Sequence, residues 1–205
     1  MVLYLSSQKF GNDTGYLEEW LCNHDNKILL IYNALEAKGE EVIQRNSRED
    51  KESLEKIGFD VKVIDLKNYF GKEEKLGSDF KKYNACCVMG GNVFILRQAM
   101  KYSGFDKILK NKRNKDYLYI GYSSGACVLS KDINILNQVD DPISFYQEDD
   151  IIYRGLGLID YVFIPHYQSN YHKVHLIEEV VERCKENNIN YKAVKDGEVI
   201  IETLN

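Results

Sequence analysis

The sequence lacks the features that would place the protein in a membrane or on nucleic acid. No run approaches the roughly 20 apolar residues that a helix needs to span a bilayer, and the amino terminus, MVLYLSSQKF, has no basic region followed by a long apolar core. The net charge of -5 comes from interspersed acidic and basic residues, which leave no basic footprint for a polyanion. We therefore expect a cytoplasmic protein that acts on a small soluble partner.

Paired cysteines and linker sequences are also missing. The five cysteines are odd in number, mostly lie in apolar segments and lack the paired spacing of metal ligands, so we expect them to be reduced and structural. The chain has only two prolines and contains no Pro/Gly linker, internal repeat or low-complexity tract. Because 205 residues can build a sizeable core without disulfides, the sequence predicts a single domain over residues 1–205.

What the chain does have is a regular alternation of apolar runs with charged or helix-periodic stretches. The predicted strands are MVLYLS, KILLIYNAL, VKVIDL, ACCVMG, YLYIG and YVFIPHY. Short runs with few charges are typical of parallel strands buried on both faces. The pattern predicts an α/β fold with a doubly wound, mostly parallel sheet and helices on both faces. The final segment, NYKAVKDGEVIIETLN, predicts a C-terminal antiparallel hairpin at the sheet edge.

The stretch GYSSGAC follows one of these strands and contains a candidate nucleophile. In an open α/β sheet the ligand site forms beyond the carboxyl ends of the strands. Gly121, Ser123 and Gly125 fit the pattern G-x-S-x-G, which places a serine on a tight strand-to-helix turn with its hydroxyl exposed. Ser123 is therefore the candidate nucleophile, and Ser124 fills the variable position. The simpler alternative is a tight turn whose two serines cap the next helix.

A second strand ending, VMGGN, predicts a turn that exposes backbone amides. Gly90 and Gly91 allow the backbone to approach a bound group closely, and Asn92 can cap a helix that begins at Val93. Two amides facing a strand-end serine could form an oxyanion hole. The same residues could instead cradle a phosphate or simply turn the chain.

A third strand ending, YVFIPHY, carries a candidate general base. His166 follows an apolar strand and Pro165, so we expect its imidazole to project above the sheet on the same side as Ser123. A packed, hydrogen-bonded histidine is the alternative. The other histidines lie in polar or charged segments and have no carboxylates or cysteines at ligand spacing, so the sequence predicts no metal site.

These motifs together resemble a known family. The run GGN after one strand, GYSSGA after another, then DDP and IPHY, in that order, is similar to the dipeptidase E family of serine peptidases, whose relatives include cyanophycinase. The resemblance covers nearly the whole chain, starting from LYLSS. It implies an α/β fold related to class I glutamine amidotransferases, with a serine at the turn where those enzymes carry cysteine.

The resemblance also implies roles for individual residues. Ser123 matches the family's nucleophile and His166 its base. Gly91 and the amide of Ser124 match the oxyanion hole, and Asn92 matches an asparagine near the amino end of the substrate.

The acidic partner of the histidine is less well defined by the sequence. DDP matches the family's Asn-Asp-x-Pro segment with one residue missing, so Asp140 is the closest match and Asp141 its neighbour. The family has also been assigned a carboxylate near the carboxyl terminus, which Asp196 in VKDGE would match. We favour Asp196 as the orienting carboxylate because it too follows a predicted strand.

The expected function is hydrolysis of short peptides or dipeptides from a free amino terminus by a serine peptidase, with no metal or organic cofactor. The expected partner is a small peptide, with neither nucleic acid nor membrane, and a homodimer is left open. A non-catalytic small-molecule binding module on the same fold is one alternative. An esterase is a poorer one, because in α/β-hydrolases the acid precedes the histidine and the chain is usually longer.

Two segments bear on the substrate. Family members specific for an amino-terminal aspartate place arginines after the catalytic histidine, whereas this chain has only Lys173 and two histidines there until Arg183. A lysine at a helix start is expected to point to water and to select a carboxylate poorly. We therefore expect weak discrimination between Asp-X and neutral dipeptides. The segment FYQEDDIIYRG, residues 145–155, is a candidate loop over the pocket.

Overall fold

The structure is a computed structural model that describes residues 1–147 and 151–204. Its eight strands are β1 (Val2–Ser6), β2 (Lys27–Ile31), β3 (Asp60–Ile64), β4 (Ala85–Val88), β5 (Leu118–Tyr122), β6 (Val162–Ile164), β7 (Tyr191–Ala193) and β8 (Val199–Thr203). Six of them form one sheet in the order β3-β2-β4-β5-β1-β8, and β6 and β7 form a second, two-stranded sheet. All of these pairs are parallel except β1 with β8.

Helices connect the strands along most of the chain. They are α1 (Gly15–Leu21), α2 (Glu40–Ile57), α3 (Glu73–Phe80), α4 (Val93–Ser103), α5 (Phe105–Asn111), α6 (Ser124–Cys127) and α7 (Val174–Glu186). Short 3-10 helices occupy Asn33–Lys38, Leu66–Tyr69 and Asn134–Leu136. Within the described residues, no helix combines the length and apolar character needed to cross a membrane.

The core lies on both faces of the six-stranded sheet. Leu3 and Leu5 of β1 pack into one apolar cluster and Tyr4 into the other, and β4 divides Cys86 and Cys87 in the same way. Neighbouring strand residues point to opposite faces, and all five of these side chains are buried. The predicted doubly wound α/β fold is confirmed, since two-sided burial explains why the strands read as unbroken apolar runs.

The cysteines lie mostly in the core. All five are free thiols, and four of them are buried while Cys22 is exposed. Burial raises the pKa of the Cys86, Cys87, Cys127 and Cys184 thiols, which keeps them protonated and unreactive.

The carboxyl-terminal segment contributes an antiparallel pair at the sheet edge, but its two strands take separate partners in place of the predicted hairpin. Strand β8 is the edge strand and pairs with β1. The preceding strand, β7, pairs instead with β6 in the small sheet. The turn between β7 and β8 therefore joins the two sheets, and it carries Asp196.

Part of the segment suggested as a loop over the pocket, Glu148–Asp150, lies outside the described residues. On one flank, Tyr146 packs edge-on against Phe70 with ring centroids 5.1 Å apart. On the other, Tyr153 packs against Phe94 of α4 at 5.8 Å. These contacts fasten both described flanks to the side of the sheet that carries α4.

Candidate active site

Ser123 lies at the sharp turn between β5 and α6 and has a backbone conformation that residues other than glycine rarely adopt. Its φ is 50° and its ψ is -121°. Its N–H donates to the carbonyl oxygen of Ser6 at 3.0 Å, and its own carbonyl oxygen accepts from the N–H groups of Ala126 and Cys127, each at 2.9 Å. These bonds hold a strained residue in place, and such strain concentrates at functional sites. The geometry fits the serine turn expected from G-x-S-x-G.

The two glycines of this motif are required by close backbone contacts. A Cβ atom on Gly125 would collide with the carbonyl oxygen of Val88, at the end of β4, and one on Gly121 would lie 2.6 Å from the carbonyl oxygen of Gly125. The turn therefore packs directly on the end of β4. This packing brings Ser123 next to the Gly90–Gly91 loop that follows β4.

His166 projects over the same sheet edge and faces Ser123. It follows β6 and Pro165, and its φ is 61°. Its Nε2 atom lies 3.3 Å from Ser123 Oγ, a separation typical of catalytic pairs before a substrate tightens them. The ring stacks on Tyr171, with centroids 4.3 Å apart and planes 18° from parallel. Packing thus fixes the ring in the orientation that a base for Ser123 would need.

Asp196 lies on the opposite side of the His166 ring. Its Oδ1 atom is 2.7 Å from His166 Nδ1, and its backbone N–H donates to Ser169 Oγ at 2.8 Å. We assign the Nδ1 proton from these partners, because a carboxylate can only accept. In that tautomer Nε2 is free to accept the proton of Ser123. The structure therefore aligns a serine, an imidazole and a carboxylate in one chain of contacts.

Ser7, which follows β1, also contacts this site although the sequence analysis did not select it. Its Oγ atom donates to Asp196 Oδ1 at 2.6 Å and accepts from the backbone N–H of His166 at 2.7 Å. The only sequence signal for Ser7 is its position directly after a predicted strand, at the sheet edge where sites form.

The two predicted oxyanion-hole residues lie beside Ser123. The N–H of Gly91 donates to Ser124 Oγ at 3.3 Å, and both residues line the same pocket as Ser123. The N–H of Ser124 belongs to the first turn of α6, where amides have no acceptor within the helix. Gly90 packs against the serine turn so closely that a Cβ atom there would lie 2.9 Å from Ser123 Cβ.

Asp140 has a different set of partners from Asp196. Its Oδ2 atom accepts from Val93 N at 2.8 Å and from Ser124 Oγ at 3.2 Å. Burial raises the pKa of Asp140 to about 6, against the lowering effect of the hydrogen bonds from Val93 and Ser124. The hydrogen bonds of the described residues do not link this carboxylate to His166. On geometry, Asp196 is the carboxylate positioned to orient the imidazole.

Asn92 caps α4, which begins at Val93 as its sequence predicted. Its Oδ1 atom accepts from Phe94 N and Ile95 N at 2.9 and 3.0 Å. Its Nδ2 atom donates to the carbonyl oxygen of Asp141 at 2.8 Å. Asn92 thus ties the start of α4 to the DDP segment, while the Asp141 side chain itself is exposed.

The expectation that Lys173 points to water is wrong. Its Nζ atom donates to the carbonyl oxygen of Val139 at 2.6 Å, and its charge acts to lower the pKa of Asp140. The long side chain reaches back over the DDP segment because a carbonyl acceptor and the half-buried carboxylate of Asp140 lie there. Lys173 is therefore already engaged at the edge of the pocket.

The pocket beside Ser123 is small and mainly apolar. Its volume is about 30 Å³, and besides the groups described above it is lined by apolar side chains and a thiol: Cys127, Leu136, Val139, Pro165, Tyr171 and Ile177. No three histidine, cysteine or acidic side chains among the described residues group together as metal ligands. Among the residues that the structure describes, two ionisable side chains other than the thiol and the tyrosine line this pocket. They are the Asp140 carboxyl and His166, which is charged only when protonated.

Comparison with known proteins identifies the family and shows that the protein is a serine-type peptidase. The chain belongs to Peptidase family S51, which it matches over residues 4–202. An uncharacterized peptidase of Listeria innocua is 30% identical over 161 residues, which cover 76% of this chain and 75% of the relative. Peptidase E of Haemophilus influenzae is 26% identical over 190 residues, covering 90% of this chain and 81% of the relative.

Solved structures show the same fold. A crystal structure from Listeria monocytogenes, of a protein with the provisional name peptidase E, superposes with a TM-score of 0.75 at 23% identity and covers 100% of this chain and 98% of that one. A peptidase from an acI-B1 actinobacterium gives a TM-score of 0.72 at 14% identity, covering 98% and 82%. The resemblance to the dipeptidase E family is thereby confirmed.

Proposed function

We propose that this peptidase hydrolyses dipeptides and short peptides from a free amino terminus through an acyl-enzyme on Ser123. The observation that carries the proposal is the chain of contacts from Ser123 Oγ through the two nitrogens of His166 to Asp196, at 3.3 and 2.7 Å. A strained serine turn on the same sheet edge supports it.

The reaction follows from these positions. His166 Nε2 takes the proton of Ser123 while Ser123 Oγ attacks the peptide carbonyl carbon, and Asp196 stabilises the imidazolium that results. The N–H groups of Gly91 and Ser124 hold the negative oxygen, for which Gly91 N–H exchanges its bond to Ser124 Oγ. His166 then protonates the leaving amine, and water activated by His166 releases the acyl group from Ser123.

Asp140 is the group best placed to recognise the amino terminus of the substrate. A substrate ammonium that enters a small apolar pocket needs an anionic partner, because burying an unpaired charge is strongly unfavourable. Asp140 lines the pocket and is ionised above about pH 6. The family resemblance suggests Asn92 for this region, but its side chain already hydrogen-bonds to the start of α4 and to the carbonyl oxygen of Asp141. We therefore assign ammonium binding to Asp140, next to the Asn92 cap.

The same pocket disfavours an acidic side chain on the amino-terminal residue. A substrate carboxylate would meet the Asp140 charge, and the nearby cation, Lys173, already donates to Val139. The small, mainly apolar lining of the pocket favours a neutral side chain. These features support the weak discrimination between Asp-X and neutral dipeptides that the sequence predicts.

The test compares kcat/KM for Ala-Leu, Asp-Leu and amino-blocked Ala-Leu. We expect Asp-Leu to be no more than about tenfold better than Ala-Leu, and blocking the amine to lower kcat/KM by at least about a hundredfold. Asp140→Asn should lose most of the advantage of the free amine, chiefly through KM, whereas Asp141→Asn should keep it. Strong preference for Asp-Leu would contradict the pocket assignment, and efficient cleavage of the blocked peptide would contradict the dipeptidase activity.

A further inference from the structure

Ser7 connects the two groups that flank the proposed catalytic imidazole. Its Oγ atom lies 2.6 Å from Asp196 Oδ1, 2.7 Å from His166 N and 3.4 Å from His166 Nδ1. The side chain is completely buried, so its hydroxyl is held by these protein groups and not by bulk solvent. One serine therefore serves as a donor to the carboxylate and as an acceptor for the histidine backbone.

Sheet register explains why Ser7 reaches this position. Ser6, the last residue of β1, pairs with Tyr122 of β5 on one side and with Val199 of β8 on the other. Ser7, the residue after β1, therefore falls between the serine turn that follows β5 and the Asp196 turn that precedes β8. His166 joins them from the separate β6–β7 sheet.

We propose that Ser7 is a positioning residue for the Ser123 reaction, an inference that rests on the proposed function. The Asp196 side chain is 24% exposed, and without a second tie it could turn toward solvent. Ser7 donates to Oδ1, the same oxygen that accepts from His166 Nδ1. It also binds the backbone of His166, whose positive φ is otherwise unfavourable. Ser7 thereby fixes the carboxylate and the imidazole relative to each other.

The experiment compares Ser7→Ala with Ser130→Ala as a matched control. Ser130 is equally buried, and its hydroxyl accepts from the N–H of Phe163, in the strand that leads to His166. Each substitution leaves one backbone N–H without its acceptor, but only Ser7→Ala also removes a hydrogen-bond donor to the Asp196 carboxylate. We expect Ser7→Ala to lower kcat on Ala-Leu by about tenfold to a hundredfold with KM within about threefold, and Ser130→Ala to keep kcat within about twofold.

A second readout separates positioning from general destabilisation. Inactivation by a fluorophosphonate requires an activated Ser123 but no peptide binding, so its rate constant should fall in Ser7→Ala in parallel with kcat. The Ser130→Ala control accounts for the loss of a backbone acceptor, so the remaining effect of Ser7→Ala passes through Asp196, and the same substitution in an Asp196→Ala background should change that rate by less than about threefold. An effect of full size in that background would overturn the proposal, since it would show that Ser7 works independently of the carboxylate.

Ser7→Cys, which keeps a similar shape but only a weak donor, provides a second variant if Ser7→Ala does not fold. It should shift both rates in the same direction, and folded Ser7 variants with wild-type rates would overturn the proposal. Ser123→Ala and Asp196→Ala identify a different failure. If those two variants remain fully active, the proposed serine mechanism is wrong, whereas if they are impaired and Ser7→Ala behaves like Ser130→Ala, only the role of Ser7 is wrong.

Discussion

Two adjacent serines at the start of α6 differ in how each is connected to a carboxylate. Ser123 reaches Asp196 through the ring of His166, whereas Ser124 contacts Asp140 directly at 3.2 Å. Ser123 also has the strained backbone of the turn, while Ser124 lies in the helix. The serines are neighbours in sequence, but only Ser123 faces an imidazole nitrogen.

This difference indicates distinct tasks for the two serine–carboxylate pairs. The His166 ring lies between Ser123 and Asp196, where it can take the serine proton while the carboxylate stabilises the imidazolium that forms, so this pair can generate a nucleophile. The direct pair instead satisfies the N–H of Val93 at the start of α4 and leaves a negative group in the pocket. Ser123 and Asp196 thus fit the chemistry, and Ser124 and Asp140 fit the support and recognition of the substrate.

Replacing each serine by alanine should produce the largest difference in kcat between the two serine–carboxylate pairs. Ser123→Ala should lower kcat by at least about ten-thousandfold, because no other hydroxyl faces His166 Nε2 in the described structure. Ser124→Ala keeps the backbone amide of the oxyanion hole and should lower kcat by no more than about tenfold. Steady-state kinetics with Ala-Leu and thermal unfolding of both variants provide the measurement. A dead Ser124→Ala beside an active Ser123→Ala would reverse the assignment.

Replacing the two carboxylates by amides should give the next largest difference. Asp196→Asn removes the acceptor that fixes the Nδ1 proton and should lower kcat by about a thousandfold or more. Asp140→Asn should lower kcat by less than about tenfold, with its main effect on KM. If Asp140→Asn or Asp141→Asn reduces kcat more than Asp196→Asn does, the orienting carboxylate belongs to the DDP segment.

The sequence predicted much of this site because its signals are local. Gly121 and Gly125 indicate the serine turn, and the apolar strand before Pro165 indicates that His166 lies at the sheet edge. Ser7 was missed because a serine after a strand has no distinguishing neighbours, and its partners lie 159 and 189 positions away in the chain.

Long-range pairing explains the remaining differences from the predicted fold. The Lys-Asp-Gly turn indicated two strands correctly, but the pairing of β8 with β1 depends on a strand at the other end of the chain. Likewise, Lys173 does not point to water as its position at a helix start predicted, because the carbonyl oxygen of Val139, which is distant in sequence, provides an acceptor. Turn and strand signals locate residues at the sheet edge, and only tertiary contacts decide which of them meet.

The smallest predicted effect concerns stability and pH. Burial raises the pKa of Asp140 from 3.8 to about 6, so the folded chain binds this proton more tightly than the unfolded chain does. The contribution of Asp140 to the free energy of unfolding therefore falls as pH rises from about 4 to about 6 and stays low above that range. Asp140→Asn removes this decline. The free energy of unfolding of Asp140→Asn, taken relative to that of wild type, should therefore be about 1–3 kcal/mol larger at pH 7.5 than at pH 4.5.

Urea denaturation at both pH values measures this difference, and Asp141→Asn is the control because its side chain is exposed. The control should follow the wild-type pH dependence. If Asp140→Asn does so too, the carboxyl of Asp140 titrates as an ordinary surface group, and the contrast drawn between the two carboxylates loses its electrostatic part.

The most direct measurement of the central claim is stoichiometric labelling with a fluorophosphonate followed by peptide mapping of the modified residue. The Ser123–His166–Asp196 arrangement predicts one label per chain, located on Ser123, formed much more slowly in His166→Ala and absent in Ser123→Ala. A label on Ser124, or labelling of Ser123 at the same rate in His166→Ala, would contradict the claim that the imidazole activates Ser123.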